Sequence, residues 1–102
     1  TVYHARLLDK LIEKAFVKRG FGVVEVMTHC HTQYGRRNRM GDAVAMMKWQ
    51  KEHAVRVEKS ADMSEEELKD KFTIGVLVDR ELPIYTEQYE LVRKQARDSI
   101  PR

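Results

Sequence analysis

The residues best suited to chemistry form the polar run Thr28-His29-Cys30-His31, directly after a short apolar segment. Cysteine thiolates and histidine imidazoles both bind metal ions, so a zinc site is the first interpretation to test. The spacing disfavours zinc, because consecutive side chains of an extended backbone point to opposite faces and structural sites separate their cysteines by two or more residues. The alternative is an inert core thiol, since a lone cysteine is among the residues most often buried.

The other chemical signals in the sequence are weaker. The sequence contains no Gly-x-Ser-x-Gly elbow, no Gly-x-x-x-x-Gly-Lys loop and no Gly-x-Gly-x-x-Gly turn. Its densest basic cluster consists of Arg36, Arg37 and Arg39, which could contact phosphates or an acidic protein surface. A small basic nucleic-acid-binding module is therefore an alternative function.

The charge distribution argues against that alternative. Residues 1–60 hold 12 Lys or Arg against 6 Asp or Glu, whereas residues 61–102 hold 7 against 10, giving the net charge of +3. The acidic second half and the absence of a known nucleic-acid-binding motif disfavour a nucleic-acid partner.

Hydrophobic periodicity predicts the helices that position the polar run. Apolar residues three and four apart indicate a helix over 3–19, which Gly20 ends. A second helix is predicted from Asp42, its N-cap, to about residue 53, with Met46 and Met47 in the core.

Two apolar runs, 21–27 and 72–78, predict strands covered on both faces, as in a parallel sheet. Residues 28–40 between the first strand and the second helix are predicted to form a loop. Residues 55–58 fit either a short edge strand or an extended linker.

The second half of the sequence predicts two further helices. Ser64 and Glu67 have the spacing of a capping box, which predicts a short helix there. A last helix is predicted over 84–96, and its face formed by Tyr85, Tyr89 and Val92 needs a surface to pack on. Tyr85 and Tyr89 also suggest a second alternative function, a non-catalytic assembly element that docks on another subunit.

The composition indicates a folded protein of at most one domain in 102 residues, with 42% hydrophobic and 34% charged residues, and the predicted helices and strands make it an α/β protein. No apolar run is long enough for a membrane span, and the first residues do not resemble a secretion signal. The single cysteine gives no intrachain disulfide, so we expect a cytoplasmic location. The missing initiator methionine suggests an excised or processed piece.

The stretch from Gly20 to Asn38 resembles the C-terminal part of the β subunit of 2-oxoacid:ferredoxin oxidoreductases, most closely the 2-oxoglutarate branch. The most specific match is the run Cys30-His31-Thr32-Gln33-Tyr34-Gly35-Arg36. Gly41-Asp42-Ala43, Lys48-Trp49, residues 74–77 and residues 85–89 continue the similarity, which covers nearly the whole chain.

The resemblance implies a fold and an activity. It implies that residues 1–53 end the thiamine-diphosphate-binding α/β domain, a partial parallel-sheet domain, and that 54–102 form a C-terminal extension with a helical tail. The family oxidatively decarboxylates a 2-oxoacid, here 2-oxoglutarate, to its acyl-coenzyme A and passes the electrons to ferredoxin. The implied partners are the remainder of the β subunit, the α subunit and ferredoxin.

The resemblance also implies cofactors: thiamine diphosphate, Mg²⁺ and a four-iron four-sulfur cluster on four cysteines. Cys30 falls on the position of the fourth cysteine. His29 and His31 depart from the family pattern beside it. Arg36, Arg37 and Arg39 could line the approach for ferredoxin.

One of the implied cofactors lacks its motif in this sequence. The only Gly-Asp, at Gly41-Asp42, precedes Ala43 instead of a glycine, and the only asparagine, Asn38, lies upstream of it. The thiamine diphosphate motif of the family is therefore absent. We expect this chain alone to bind none of the cofactors and to be catalytically inert.

Overall fold

The computed structural model describes residues 1–100 as a string of helices around one small sheet. Its extents are 72 × 35 × 24 Å and its radius of gyration is 20.9 Å, whereas a compact domain of this length has about 13 Å. Among the described residues, Met46 is the only apolar residue that is buried. The chain by itself therefore does not enclose a core of the kind its composition supports.

Helix α1 spans Ala5–Val17 and follows a 3₁₀ turn at Val2–His4. The predicted helix is confirmed, and Gly20 has a φ of +99° in the left-handed region that glycine adopts without steric cost. The chain leaves the helix two residues before this glycine, since Lys18 is already extended. No α1 residue is buried, and Phe16 on its predicted apolar face is 86% exposed.

Residues 21–27 do not form the predicted strand. They lie outside both strands of the sheet, and one backbone bond, from Val2 N–H to Met27 O at 3.1 Å, joins their end to the start of the chain. A strand is defined by pairing with a neighbour, and the described residues provide none beside this segment. The strand prediction is wrong for this chain. The apolar composition of residues 21–27 indicates that they favour burial, but it does not indicate that a partner strand lies beside them.

The predicted loop over 28–40 also needs correction. It contains a π-helical turn at His31–Gly35, which continues helically through Arg36 and Arg37. The turn carries too few apolar residues to show a helical period, so the pattern did not indicate it.

Helix α2 spans Ala43–His53. The Asp42 side chain accepts a hydrogen bond from Ala45 N–H at 2.8 Å, which confirms the predicted N-cap. Met46 is buried, as predicted, whereas Met47 is half-buried.

Strands β1 (Ala54–Arg56) and β2 (Phe72–Ile74) form a two-stranded parallel sheet, with Ala54 opposite Phe72 and Arg56 opposite Ile74. The parallel α/β class is confirmed, although β1 replaces residues 21–27 as the partner of β2. Strand β2 is shorter than predicted because Gly75, with a φ of +130°, turns the chain away.

Two short helices, α3 (Val57–Ser60) and α4 (Glu65–Leu68), connect the strands. The capping box is confirmed: Glu67 N–H donates to Ser64 Oγ at 3.3 Å, and Ser64 N–H donates to Glu67 Oε2 at 2.9 Å. Hydrogen bonds from the Ser64 backbone N–H and then its hydroxyl hold the pKa of Glu67 below its usual value.

Helix α5 spans Tyr85–Asp98 and has no buried residue. Ion pairs connect this part of the chain to the residues just after α1: Arg19 pairs with Glu87, and Lys18 pairs with Asp79 at 2.7 Å. Tyr85 and Tyr89 stack with their ring centroids 5.9 Å apart, but both remain exposed. Among residues 1–100, no helix has the length and apolar character needed to cross a membrane.

Candidate functional site

Cys30 lies at the exposed end of the irregular segment that follows α1, and it is the N-cap of the π turn. Its side chain lines an open cavity of about 400 Å³. The other lining residues are Met27, Thr28, Tyr34, Met40, Met46, Trp49 and Gln50. The thiol is therefore accessible, and the interpretation as a buried inert cysteine is wrong.

The π turn is fastened to α2 by its last residue. Gly35 N–H donates to Cys30 O at 2.8 Å and closes the turn. A Cβ on Gly35 would lie 2.7 Å from Met46 Sδ, closer than side-chain carbons approach such atoms. Only glycine fits between the turn and the buried Met46 without displacing it.

The turn also sets the electrostatic environment of the sulfur. Hydrogen bonds from the backbone N–H groups of Tyr34 and then Gln33, followed by the Thr32 hydroxyl, hold the pKa of the Cys30 thiol below its usual value. The Thr32 Oγ1 lies 3.9 Å from the sulfur. Because these groups point at the sulfur, they favour the thiolate, which is the form that binds metals.

The two neighbouring histidines lie together. The ring centroids of His29 and His31 are 6.0 Å apart, and the His29 Nδ1 is buried without a hydrogen-bond partner. Within the described range 1–100, no three His, Cys, Asp or Glu side chains are grouped closely enough to hold a metal ion.

The three arginines lie just beyond the turn and are exposed. Arg39 N–H donates to Arg36 O at 3.4 Å, and Met40 N–H donates to Gly35 O at 2.9 Å, which is the bonding pattern of a Schellman motif. Arg39 occupies the position of that motif that usually holds glycine, with a φ of +55°. The three arginines therefore lie next to the turn in the chain, and none of them lines the cavity.

Gln50 was not among the residues that the sequence analysis selected. It is 2% exposed, its Oε1 accepts a hydrogen bond from Tyr3 N–H at 3.2 Å, and its Nε2 donates to Met27 O at 3.5 Å. It therefore joins the start of the chain and the residues before Cys30 to α2. The sequence did contain a signal for Gln50. It is a polar residue on the otherwise apolar side of α2, the side that carries Met46 and Trp49.

Comparison with curated proteins identifies relatives over most of the chain. It is 38% identical to the 2-oxoglutarate synthase subunit KorB of Methanocaldococcus jannaschii over 95 residues, which are 92% of this chain and 35% of that subunit. This chain is homologous to KorB subunits. The resemblance to a β subunit of the 2-oxoglutarate branch is confirmed.

Two further KorB subunits are also similar to this chain. Identity is 37% to that of Methanothermobacter marburgensis, over 81% of this chain and 29% of the subunit. It is 33% to that of Methanothermobacter thermautotrophicus, over 86% of this chain and 31% of the subunit. The chain spans about a third of the length of the KorB subunits it matches. No protein-family model and no solved structure matches the chain.

Proposed function

We propose that this chain is the C-terminal part of the β subunit of a 2-oxoacid:ferredoxin oxidoreductase acting on 2-oxoglutarate. The similarity to KorB subunits over 92% of the chain supports the assignment. The observation that carries the chemical role is the accessible thiol of Cys30, whose pKa is lowered by the N–H groups of the π turn. In this proposal Cys30 supplies one of four thiolates that hold a four-iron four-sulfur cluster.

The surroundings of Cys30 fit a cluster ligand. Thiolates hold such clusters, and hydrogen bonds to sulfur tune their reduction potentials. The N–H groups of Tyr34 and Gln33 are positioned to donate such bonds. When bound, such a cluster would supply one-electron transfer at this position. This chain's own part is to hold one exposed sulfur beside the cavity that Cys30 lines.

The residues present do not fit thiamine diphosphate and its Mg²⁺. Ala43 follows the only Gly-Asp pair, and Asn38 precedes it. Asp42 is already occupied as the N-cap of α2. The rest of the subunit must therefore provide that site. On its own, the chain is expected to show no turnover of 2-oxoglutarate with coenzyme A and an electron acceptor.

The surface and the domain boundary complete the proposal. Residues 1–53 end the cofactor-binding α/β domain of the subunit, and 54–102 form its extension.

Arg36, Arg37 and Arg39 give ferredoxin a positive surface to approach near Cys30, since ferredoxin is acidic. The further partners are the remainder of the β subunit and the α subunit. We place the complex in the cytoplasm, where a thiolate ligand stays reduced.

The proposal is tested by the iron content of the assembled enzyme that contains this chain. Cys30→Ala should remove or reduce the cluster, seen as lost iron and lost visible absorbance. Ser99→Ala, a small exposed residue at the far end of the chain, is the control and should retain the wild-type iron content. Full iron content and an unchanged electron paramagnetic resonance spectrum in Cys30→Ala would contradict the role of Cys30.

A further inference from the structure

The three buried residues among residues 1–100 lie in the turn after Cys30 or on the helix that packs against that turn. Gly35 ends the π turn, and Met46 and Gln50 belong to α2. Met46 is 5% exposed and Gln50 is 2% exposed. Because they are four positions apart, they lie on the same face of the helix. The little burial that this chain achieves is therefore concentrated beside the segment that carries the thiol.

Met46 makes the contact with the residues that follow Cys30. Its Sδ lies where a Cβ on Gly35 would approach to 2.7 Å, so the backbone of the turn lies directly against this side chain. Gly35 N–H in turn donates to Cys30 O at 2.8 Å. The position of the Cys30 carbonyl is thereby tied to one residue of α2.

Gln50 makes the contact with the residues that precede Cys30. Its Nε2 donates to Met27 O at 3.5 Å, and the same carbonyl accepts a hydrogen bond from Val2 N–H at 3.1 Å. The Gln50 Oε1 accepts a hydrogen bond from Tyr3 N–H at 3.2 Å. Met27 belongs to no helix and no strand. These bonds therefore hold the backbone three residues before Cys30.

The amide of Gln50 does more than fill space. A methionine has a similar length and volume, and it would be buried without losing hydrogen bonds to water. A buried amide is tolerated only when protein groups replace those bonds, and both ends of this side chain have such partners. The amide therefore selects one arrangement of Tyr3 and Met27, which an apolar side chain would not do.

We propose that Gln50 is a positioning residue for the Cys30 thiolate: with Met46, one turn away on α2, it holds the backbone on both sides of the cysteine. Gln50 acts through the Met27 carbonyl. The amide and the thiol line the same cavity of about 400 Å³, which places them on one side of the segment. This inference rests on the proposed function, in which Cys30 is a cluster ligand.

The test is Gln50→Met in the assembled enzyme that contains this chain, because this substitution keeps the size of the side chain and removes both hydrogen bonds. Iron release to an added chelator should become at least about tenfold faster, since groups that orient metal ligands typically contribute 10- to 100-fold to metal affinity. The electron paramagnetic resonance spectrum of the reduced cluster should also change. A wild-type release rate together with a wild-type spectrum would overturn the inference.

A second variant covers the case in which Gln50→Met does not assemble. Gln50→Asn keeps a buried amide but is one methylene shorter, so it does not span the distance from Tyr3 N–H to Met27 O. Iron release should again be faster than in the wild type, by a smaller factor than in Gln50→Met. Wild-type release and a wild-type spectrum in Gln50→Asn would overturn the positioning role.

Two controls separate positioning from general stability. Gln95→Met makes the same substitution on the exposed surface of α5 and should behave as the wild type. Ser64→Ala removes the capping box of α4, so it should lower the thermal stability without changing iron release or the spectrum. Equal acceleration of iron release by Ser64→Ala and Gln50→Met would assign the effect to stability and overturn the inference.

Cys30→Ala distinguishes this inference from the proposed function. Full iron content in Cys30→Ala would contradict the proposed function, and the positioning role of Gln50 with it. Loss of the cluster in Cys30→Ala, with wild-type behaviour of both Gln50 variants, would remove the positioning role alone. Loss of the cluster in Cys30→Ala, with faster iron release and an altered spectrum in the Gln50 variants, is the result that we expect.

Discussion

Gly35 N–H donates a hydrogen bond to Cys30 O at 2.8 Å, and the same glycine leaves no room for a side chain beside Met46. These contacts link the exposed thiol to the one buried apolar residue among residues 1–100. The position of the sulfur therefore depends on packing against α2.

We expect Gly35→Ala to lower the free energy of unfolding by about 1–3 kcal/mol, because the new methyl group displaces Met46. Chemical denaturation monitored by circular dichroism measures this. In a Met46→Ala background the same substitution should cost less, because the space is then open. Strictly additive losses in the double variant would show that the two side chains do not compete for space.

The thiol of Cys30 should react at lower pH than an ordinary cysteine. Its pKa lies below its usual value because of N–H groups in the π turn, so the pH of half-maximal alkylation by iodoacetamide should lie below that of cysteine in an unstructured peptide. Thr32→Val removes a hydrogen bond to the sulfur and should raise this midpoint. Thr28→Val, a neighbouring threonine without that bond, should not raise it. Identical profiles for the two variants would rule out the hydroxyl contribution.

Arg39→Gly should stabilise the chain by about 1 kcal/mol, because a left-handed backbone costs a non-glycine residue roughly that much. Thermal unfolding measures the effect. Arg39→Ala removes the same charge without relieving the backbone and is the matched control. Equal effects of the two substitutions on thermal stability would show that the change comes from the lost charge and not from the backbone.

The three arginines together should set the salt dependence of ferredoxin reduction in the assembled enzyme. Replacing Arg36, Arg37 and Arg39 with Gln should slow association at low ionic strength and flatten its dependence on salt. The rate constant should be measured over a range of sodium chloride concentrations. Kinetics unchanged at every ionic strength would dispose of a docking role for these side chains.

Asp79 should make the attachment of the C-terminal region to α1 acid-sensitive. Hydrogen bonds from Lys14 and then Lys18 hold the pKa of its carboxyl at about 2, below its ordinary value. Because the folded pKa is the lower one, the stabilisation is present above the ordinary pKa of about 4 and is lost as the pH falls through about 2.

The carboxyl carbon chemical shift of Asp79 measures that titration directly. The difference in urea midpoint between the wild type and Asp79→Asn should shrink as the pH falls to about 2. Asp98→Asn, on the exposed end of α5, controls for the loss of a carboxylate. A titration midpoint of Asp79 near 4 would contradict the paired geometry.

Local structure was largely predictable from the sequence, because its causes lie within a few residues. The cap at Asp42 and the reciprocal bonds of Ser64 and Glu67 follow from side chains that reach backbone groups three positions away. Gly20 adopts the predicted left-handed backbone for the same kind of reason. In each case the residue type at one position selects a conformation with little help from the rest of the chain.

The sheet was not predictable in the same way. Residues 21–27 and 72–78 have similar apolar patterns, yet only part of the second pairs, and its partner is Ala54–Arg56. Apolar composition reports that a segment is to be buried, whereas pairing needs a second backbone at the right distance. The π turn was missed because a single turn shows no period.

The sequence by itself determined the helix caps at Asp42 and Ser64 and the α/β class, since these follow from residue types and short spacings, whereas Cys30 was selected by the resemblance to a known family. Only the tertiary structure decided that the thiol is accessible, that Gly35 of the π turn packs against Met46, and that Gln50 joins Met27 to α2. Those features depend on contacts between residues far apart in the chain, which side-chain periodicity does not encode.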